Sequence, residues 1–306
     1  MMGAMRILIS GGSGFLGAPL VERLRGSGHD VTRLVRRPAQ AADEATWQPA
    51  QGQLDPHLVA AADVVINLSG ANVGGKRWTA RYKSELRSSR VDTTGTIARA
   101  IRNLPEGDRP HTLLQASAVG WYGDTGDDPV TEEAPAGNTF LADLCRVWEA
   151  AARPAEDAGV RVVLLRTGIA VETLVERLLP VFKLGAGGKL GGGKQWMPWT
   201  SAPNWLAAAE FLLEREDIAG PVNVTAAEQA TNAHFTKAFG EAVHRPALLT
   251  VPSPALYVVL GELAGESLRS SRVVPAVLDR AGFSWPHPTI EAALQAAVGR
   301  EAAASA

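Results

Sequence analysis

Arg6-Ile7-Leu8-Ile9-Ser10-Gly11-Gly12-Ser13-Gly14-Phe15-Leu16-Gly17 is the stretch that decides the fold. Its first four residues form a short apolar run of strand character, and a glycine-dense turn follows at once. Leu16, Leu20, Val21 and Leu24 then recur at helical spacing, so the order reads strand, tight turn, helix. Gly11, Gly14 and Gly17 stand in the pattern G-x-x-G-x-x-G. A side chain at Gly11 strains the turn, and one at Gly14 holds a pyrophosphate away from the backbone. Gly17 lets the helix lie close on the sheet, and the helix N-terminus offers unpaired N–H groups to phosphate. Placed directly between a strand and a helix, the triplet predicts a dinucleotide-binding turn in preference to a turn of structure alone.

Working outward, the totals are those of a globular chain. It has 306 residues, 46% hydrophobic and 20% charged, with formal net charge −2. That length suffices for one large α/β domain plus a smaller lobe. The near-neutral charge argues against nucleic acid or an anionic membrane as the main partner. The one cysteine, Cys145, allows no internal disulfide and no multi-cysteine metal site, which fits a reducing cytoplasm. No apolar run is long enough to span a bilayer, and the expected N-terminus lacks the hydrophobic stretch of a signal peptide. No two of the six histidines stand at metal-ligand spacing, so no metal is expected.

After the first helix, residues 31–35 read as a second strand that ends in Arg36-Arg37-Pro38. Folds that choose NAD place Asp or Glu at this strand end to bond the ribose 2′-hydroxyl. Here the slot is Val35, followed by two arginines, and a guanidinium suits the 2′-phosphate of NADP. Arg36 is the favoured contact, with Arg37 beside it; a solvated strand end is the competing reading. A short strand is expected near Thr46. Residues 63–70 predict a buried parallel strand whose Asn67-Leu68-Ser69-Gly70 end lies at the carboxyl edge of the sheet. Thr79 is placed to cap a helix running to about Arg102, with most of its charges, Arg87 and Arg90 among them, on a solvated face.

Residues 112–117 form the next strand, followed by a helix over 140–158 that Pro154 bends or ends, and a strand over 160–165. Strands alternating with helices through residue 168 imply α/β architecture with a doubly wound parallel sheet. Beyond that point residues 172–183 read as helix. The glycines, lysines and tryptophans of 185–199 read as a substrate-facing lid, since paired tryptophans are unfavourable to leave in solvent. A helix over 203–215, a strand at 222–224, a helix over 232–243 and small helices over 251–298 with a turn at 282–283 complete the chain. Residues 1–4 read as a loose extension and 302–306 as a frayed end.

The chain resembles the extended, atypical branch of the short-chain dehydrogenase/reductase superfamily. More narrowly it is similar to the group called epimerase family proteins, sometimes labelled cell-division inhibitors or nucleoside-diphosphate-sugar epimerases. The resemblance covers nearly the whole chain. It rests on Gly11 to Gly17, Asn67 to Gly70, Ser-Arg-Val-Asp-Thr-Thr at 89–94, Ser-Ala-Val-Gly-Trp-Tyr-Gly at 117–123 and Phe-Leu-Ala-Asp-Leu-Cys-Arg-Val-Trp-Glu at 140–149. Leu-Arg-Thr-Gly at 165–168, the Gln-Trp-Met-Pro-Trp segment at 195–199 and residues 272–283 extend it. It implies a Rossmann-type NADP-binding domain over 5–168 and a C-terminal α/β substrate lobe over 169–300, some segments of which return to the core. The implied cofactor is NADP(H). Its expected contacts are Gly11, Ser13, Gly14, Phe15 and Leu16, then Arg36 and Arg37, Leu68, Ser69 and Gly70, Ala116 and Thr167.

The superfamily's usual chemistry uses a Ser or Thr with a Tyr-x-x-x-Lys pair, whose phenolate is the general acid/base. Anchoring on Glu149 puts Leu141 in the tyrosine slot and Cys145 in the lysine slot, while the usual serine position is Ala118. The standard triad is absent, a loss the resembling group generally shares. Two departures lie where substrate is expected: residues 168–173 lack the extra paired glycines of the group, and 200–204 lack a carboxylate. The residues left for chemistry are Tyr122 as proton donor, against a packed ring, and Ser117 to bond a substrate oxygen. Trp121, Lys194 and Trp196 are the expected substrate contacts. Three readings stand: an NADP(H)-dependent oxidoreductase or epimerase-like enzyme on a small organic substrate, a non-catalytic NADP(H) scaffold or redox sensor, and a non-redox cyclase or lyase reusing the fold. The sequence also leaves room for a homodimer.

Overall fold

The computed structural model describes residues 3–304. Of the expected loose ends, Met1, Met2, Ser305 and Ala306 lie outside the described residues, while 302–304 close the last helix. The first half runs β1 (Arg6–Ser10), α1 (Gly17–Gly26), β2 (Asp30–Val35), β3 (Glu44–Thr46), α2 (Pro56–Ala60), β4 (Val64–Asn67), α3 (Ala80–Asn103) and β5 (Thr112–Ala118). It continues with β6 (Pro129–Val130), α4 (Phe140–Ala150), α5 (Arg153–Glu156) and β7 (Arg161–Thr167). The remainder is β8 (Ile169–Ala170), α6 (Val171–Lys183), β9 (Gly188–Leu190), β10 (Trp196–Met197), β11 (Trp199–Thr200), α7 (Ala202–Glu214), β12 (Gly220–Val224), β13 (Ala230–Thr231) and α8 (Asn232–Ala242). β14 (Leu249–Val251), α9 (Ser253–Leu260), α10 (Leu263–Leu268), β15 (Arg272–Val273), α11 (Ala276–Arg280) and α12 (Ile290–Ala304) follow.

Seven strands form one sheet in the order β12-β7-β5-β4-β1-β2-β3. β1 runs parallel to both β2 and β4, β2 to β3, and β4 to β5. The chain therefore winds outward from β1 in one direction, returns, and winds outward in the other. The reversal falls between β1 and β4, where doubly wound sheets bind ligands beyond their carboxyl ends. β1 buries Ile7, Leu8, Ile9 and Ser10, and β4 buries all four of its residues, as strands covered on both faces do.

The chain divides into two compact units, one made of residues 3–118, Asp143–Leu165 and Ala209–Val222, the other of Val119–Ala142, Arg166–Ala208 and 223–304. In the first, Leu8, Val65 and Leu113 of the sheet pack with Ile97 and Ile101 of α3 and with Trp47. Thr79 caps α3 as its sequence predicts, accepting from Tyr82 N–H at 3.2 Å. The helix around 140–158 is two helices, α4 and α5, with Pro154 in the first turn of the second, where its missing N–H is harmless. In the second unit α6, α8 and α12 share a core of Val175, Phe182, Phe235, Phe239, Ile290 and Leu294, with Phe182 stacked on Phe239 at 4.1 Å. Among the described residues no helix is long and apolar enough to cross a membrane.

The 185–199 stretch, expected as a lid, carries regular structure. Three short strands run through it: β9 pairs with β14, β10 with β13, and β11 with β8. Trp199 is 1% exposed and belongs to the core of the second unit. The distant partner strands supply the backbone hydrogen bonds that glycine-rich sequence alone does not promise.

Candidate functional site

The β1–α1 turn is built by constraints that only glycine meets. Gly11 has φ +74°, and a Cβ there would lie 2.7 Å from the Leu68 carbonyl carbon. A Cβ on Gly17 would lie 2.1 Å from Gly11 O, so this glycine is required by the turn's own backbone more than by the sheet. Gly14 differs: its nearest neighbour would be Gly11 O at 3.2 Å, and its other sides are open. Gly14 N–H donates to Gly11 O at 3.0 Å and Ala18 N–H to Gly14 O at 2.9 Å, which tightens the entry into α1. No side chain caps α1. Among the described residues the N–H groups of Ser13, Phe15 and Leu16 meet no backbone or side-chain acceptor. Unpaired amides at an uncapped helix start, against a glycine open except towards Gly11 O, fit a phosphate.

The turn and residues 68–70 meet at the switch point. Asn67, fully buried, holds them in register: its Oδ1 accepts from Ser10 Oγ at 2.5 Å and Ser69 N–H at 3.3 Å. Its Nδ2 donates to Gln115 Oε1 at 2.9 Å and Thr94 Oγ1 at 3.0 Å, and Ser69 Oγ donates to Ser10 Oγ at 3.0 Å. Every polar atom of the amide is thereby used, as a buried Asn requires. Leu68 and Ser69 are half-buried and Gly70 is exposed, with the Arg90 guanidinium carbon 3.3 Å from where its Cβ would be. Arg90 corrects the expectation of a solvated face: it is buried, stacks 4.8 Å over Trp148 and donates to Leu86 O. Burial holds its pKa below the ordinary arginine value. Arg87 is exposed as expected.

At the end of β2 the two arginines differ. Arg37 forks onto Glu44 through bonds of 2.7 and 2.8 Å, which with the Gln40 N–H hold the Glu44 carboxyl at about 2. Arg33 and Arg25 bind Asp43 and depress it likewise to about 2. Arg36 is exposed, and among the described residues it has no ion-pair or hydrogen-bond partner. Of the two expected 2′-phosphate contacts, only Arg36 has a guanidinium at liberty.

At the carboxyl end of β5, Ala116 is half-buried and Ser117 buried. Ser117 Oγ donates to Glu149 Oε1 at 2.6 Å, both side chains more than nine-tenths out of solvent. The sequence marks Glu149 only as an anchor for the missing lysine motif; its pairing with a serine 32 positions earlier had no local signal. Cys145, in the lysine slot, is buried with Sγ 3.5 Å from Ala118 O, the contact of a small packing residue.

Five expected site residues lie in the second unit. Tyr122 is 3% exposed; its hydroxyl donates to Asn223 Oδ1 at 2.7 Å and accepts from Arg166 Nη1 at 3.0 Å. Burial pushes the phenol above its ordinary pKa, against the opposing pull of Arg166. Trp121 lies under the same guanidinium, 3.9 Å from its ring centre, and its Nε1 donates to Ala134 O. Thr167 accepts from Trp205 Nε1 at 3.0 Å. Trp196 is half-buried, donating to Asp127 at 3.0 Å with Arg272 stacked 4.7 Å from its ring. Lys194 is exposed.

A glycine turn opening a helix at the switch point of a doubly wound sheet defines a class, the dinucleotide-binding α/β proteins. Within it the chain belongs to the NAD dependent epimerase/dehydratase family, whose profile matches residues 7–225. A second profile, a domain of unknown function (DUF1731), matches residues 251–297. The epimerase family protein Mb2239 of Mycobacterium bovis is 42% identical over 298 residues, 96% of this chain and 98% of that one. Among solved structures, human epimerase family protein SDR39U1 (isoform 2) with NADPH superposes with TM-score 0.86 at 31% identity, covering 96% of this chain and 99% of that one. A nucleoside-diphosphate sugar epimerase from Corynebacterium glutamicum gives TM-score 0.77 at 30% identity, over 97% of this chain and 59% of that longer one.

Proposed function

We propose that the chain binds NADP(H) at the β1–α1 turn and acts on a small organic substrate as an oxidoreductase or epimerase-like enzyme with a non-standard acid–base pair. The observation that carries the reading is the free Arg36 at the end of β2, on the same sheet edge as the uncapped glycine turn. The amides of Ser13, Phe15 and Leu16 would hold the pyrophosphate, and Gly14 leaves it room. Arg36 would take the 2′-phosphate, while Glu44 keeps Arg37 as a support for the loop. Leu68, Ser69, Gly70 and Ala116, in the same unit, would line the remaining expected path. The human relative crystallised with NADPH supports the same choice of nucleotide.

Bound NADP(H) supplies hydride acceptance and donation. The chain's own part is the proton. Ser117 donates its hydrogen to Glu149, which leaves its oxygen lone pairs free to accept from a substrate hydroxyl. As hydride leaves the carbinol carbon, the substrate hydroxyl proton passes to Ser117 Oγ and Ser117's own proton passes to Glu149; reduction runs the same path backwards. Screening carbonyl and nucleotide-sugar substrates by NADPH absorbance tests this. Ser117→Ala and Glu149→Gln should each lower turnover by ~100-fold or more with NADPH affinity unchanged, the usual scale for a general acid/base. Full turnover in both variants would remove the pair from the mechanism.

A second reading has its own observation. Leu141 and Cys145 fill the tyrosine and lysine slots, and Ser117 is 3% exposed, as suits a scaffold or redox sensor that holds NADP(H) without turnover. Tight NADPH binding with no turnover on any substrate class would select it.

A further inference from the structure

Three ligand-type side chains converge in the second unit. Glu228 lies in the turn before β13, His234 in the first turn of α8, and Glu291 in the first turn of α12. One ligand atom from each lies within 4.8 Å of the other two. His234 Nε2 and Glu291 Oε1 are 2.6 Å apart, which accounts for two members of the cluster. Glu228 is unaccounted for. Its Oε2 is withdrawn from solvent with no hydrogen-bond partner, and among the described residues no group pairs with this carboxylate. A carboxylate oxygen taken out of water with no donor is unfavourable, and a second carboxylate nearby raises the penalty. A protonated His234 offsets one of the two negative charges. A divalent cation on neutral imidazole offsets both.

We propose that Glu228, His234 and Glu291 form a binding site for a divalent cation of the zinc type. One imidazole and two carboxylates are an N/O donor set for borderline metals, whereas calcium takes six to eight oxygens and thiolate-seeking metals find no sulfur here. Tetrahedral bonds of ~2.0–2.1 Å place ligand atoms ~3.3 Å from each other. The His234–Glu291 pair opens by under ~1 Å and the wider separations close by up to ~1.5 Å, within the reach of freely rotating side chains. The fourth position is left to water. An ion here joins the turn before β13 to the N-terminal ends of α8 and α12, two helices of one core. The site stands apart from the nucleotide reading, since none of its residues belongs to that site.

The test uses tag-free, EDTA-treated full-length protein, titrated calorimetrically with zinc chloride and optically with cobalt(II). The expected result is one ion per chain, visible d–d absorption from cobalt, and a melting temperature raised by zinc. His234→Ala and Glu228→Gln should each weaken binding by at least the ~10–100-fold that loss of even an outer partner brings. NADPH titration of both variants should match the parent. Glu228→Gln keeps the side-chain shape and carries the test if His234→Ala misfolds. Absence of zinc binding by the parent, or undiminished binding in Glu228→Gln, overturns the site.

Discussion

Replacing Gly17 by Ala separates a turn the backbone requires from one that merely tolerates glycine. The added Cβ would lie 2.1 Å from Gly11 O, 2.9 Å from Gly11 C and 3.0 Å from Gly12 Cα, all backbone atoms. The closest approach is more than ~1 Å inside the ~3.5 Å at which nonbonded heavy atoms rest, so the turn and helix must part by about that distance. Overpacking against an unyielding neighbour costs about 3 kcal/mol at the upper end of its range, and alanine returns about 0.5–1 kcal/mol of helix propensity. The net loss of ~2 kcal/mol should lower the melting temperature by ~4–8 °C. Shifting the amides that face the pyrophosphate removes one charge-assisted hydrogen bond or more, ~1.5–3 kcal/mol, so NADPH affinity should fall at least ~10-fold. Gly14→Ala is the companion: its Cβ would meet only Gly11 O at 3.2 Å, so the fold should change by less than ~1 kcal/mol while NADPH weakens by ~10-fold or more. Differential scanning fluorimetry and NADPH fluorescence titration read both. A Gly17→Ala protein that melts and binds like its parent, or a Gly14→Ala protein with undiminished affinity, refutes the reasoning.

Three further outcomes follow from the geometry. Asn67→Leu leaves Ser10, Ser69, Gln115 and Thr94 without their shared partner, and chemical denaturation should show a loss of ~2–4 kcal/mol. Trp199→Ala, a core truncation, should lose ~3–5 kcal/mol; unchanged stability would take Trp199 out of the core. Glu44, held at about 2 against an ordinary 4.5, and Asp43, held at about 2 against 3.8, bind fewer protons folded than unfolded. Their contribution is complete above pH 4.5 and drains as pH falls towards 2, so melting curves across that window should fall less steeply in Glu44→Gln than in the parent.

What the sequence made legible was local. Gly11 and Gly17 are dictated by contacts within a dozen residues or by the next strand over, and Thr79 caps a helix three residues away, so pattern and position suffice. Arg36 was visible because a strand end lacked a carboxylate. Illegible features join distant positions: Ser117 with Glu149, Tyr122 with Asn223, Arg90 beneath Gly70, and Glu228 with His234 and Glu291. Arg90 reads as a surface charge until α4 supplies Trp148 to stack on. The strands of the 185–199 stretch stay hidden for the opposite reason: its glycines weaken any strand signal, and the pairing comes from residues 169–170, 230–231 and 249–251. Arg37 reads as a second guanidinium beside the favoured Arg36, and only the fold shows Glu44, seven residues on, occupying it.

The central claim is that the chain selects NADP(H) through Arg36 at the end of β2. Fluorescence titration of the parent and of Arg36→Ala with NADPH and with NADH tests it directly. A charge-assisted contact to the 2′-phosphate is worth ~1.5–3 kcal/mol, so the parent should prefer NADPH by at least ~10-fold and the variant should bind the two alike. Equal affinity in the parent, or a preference that survives the loss of Arg36, contradicts the account.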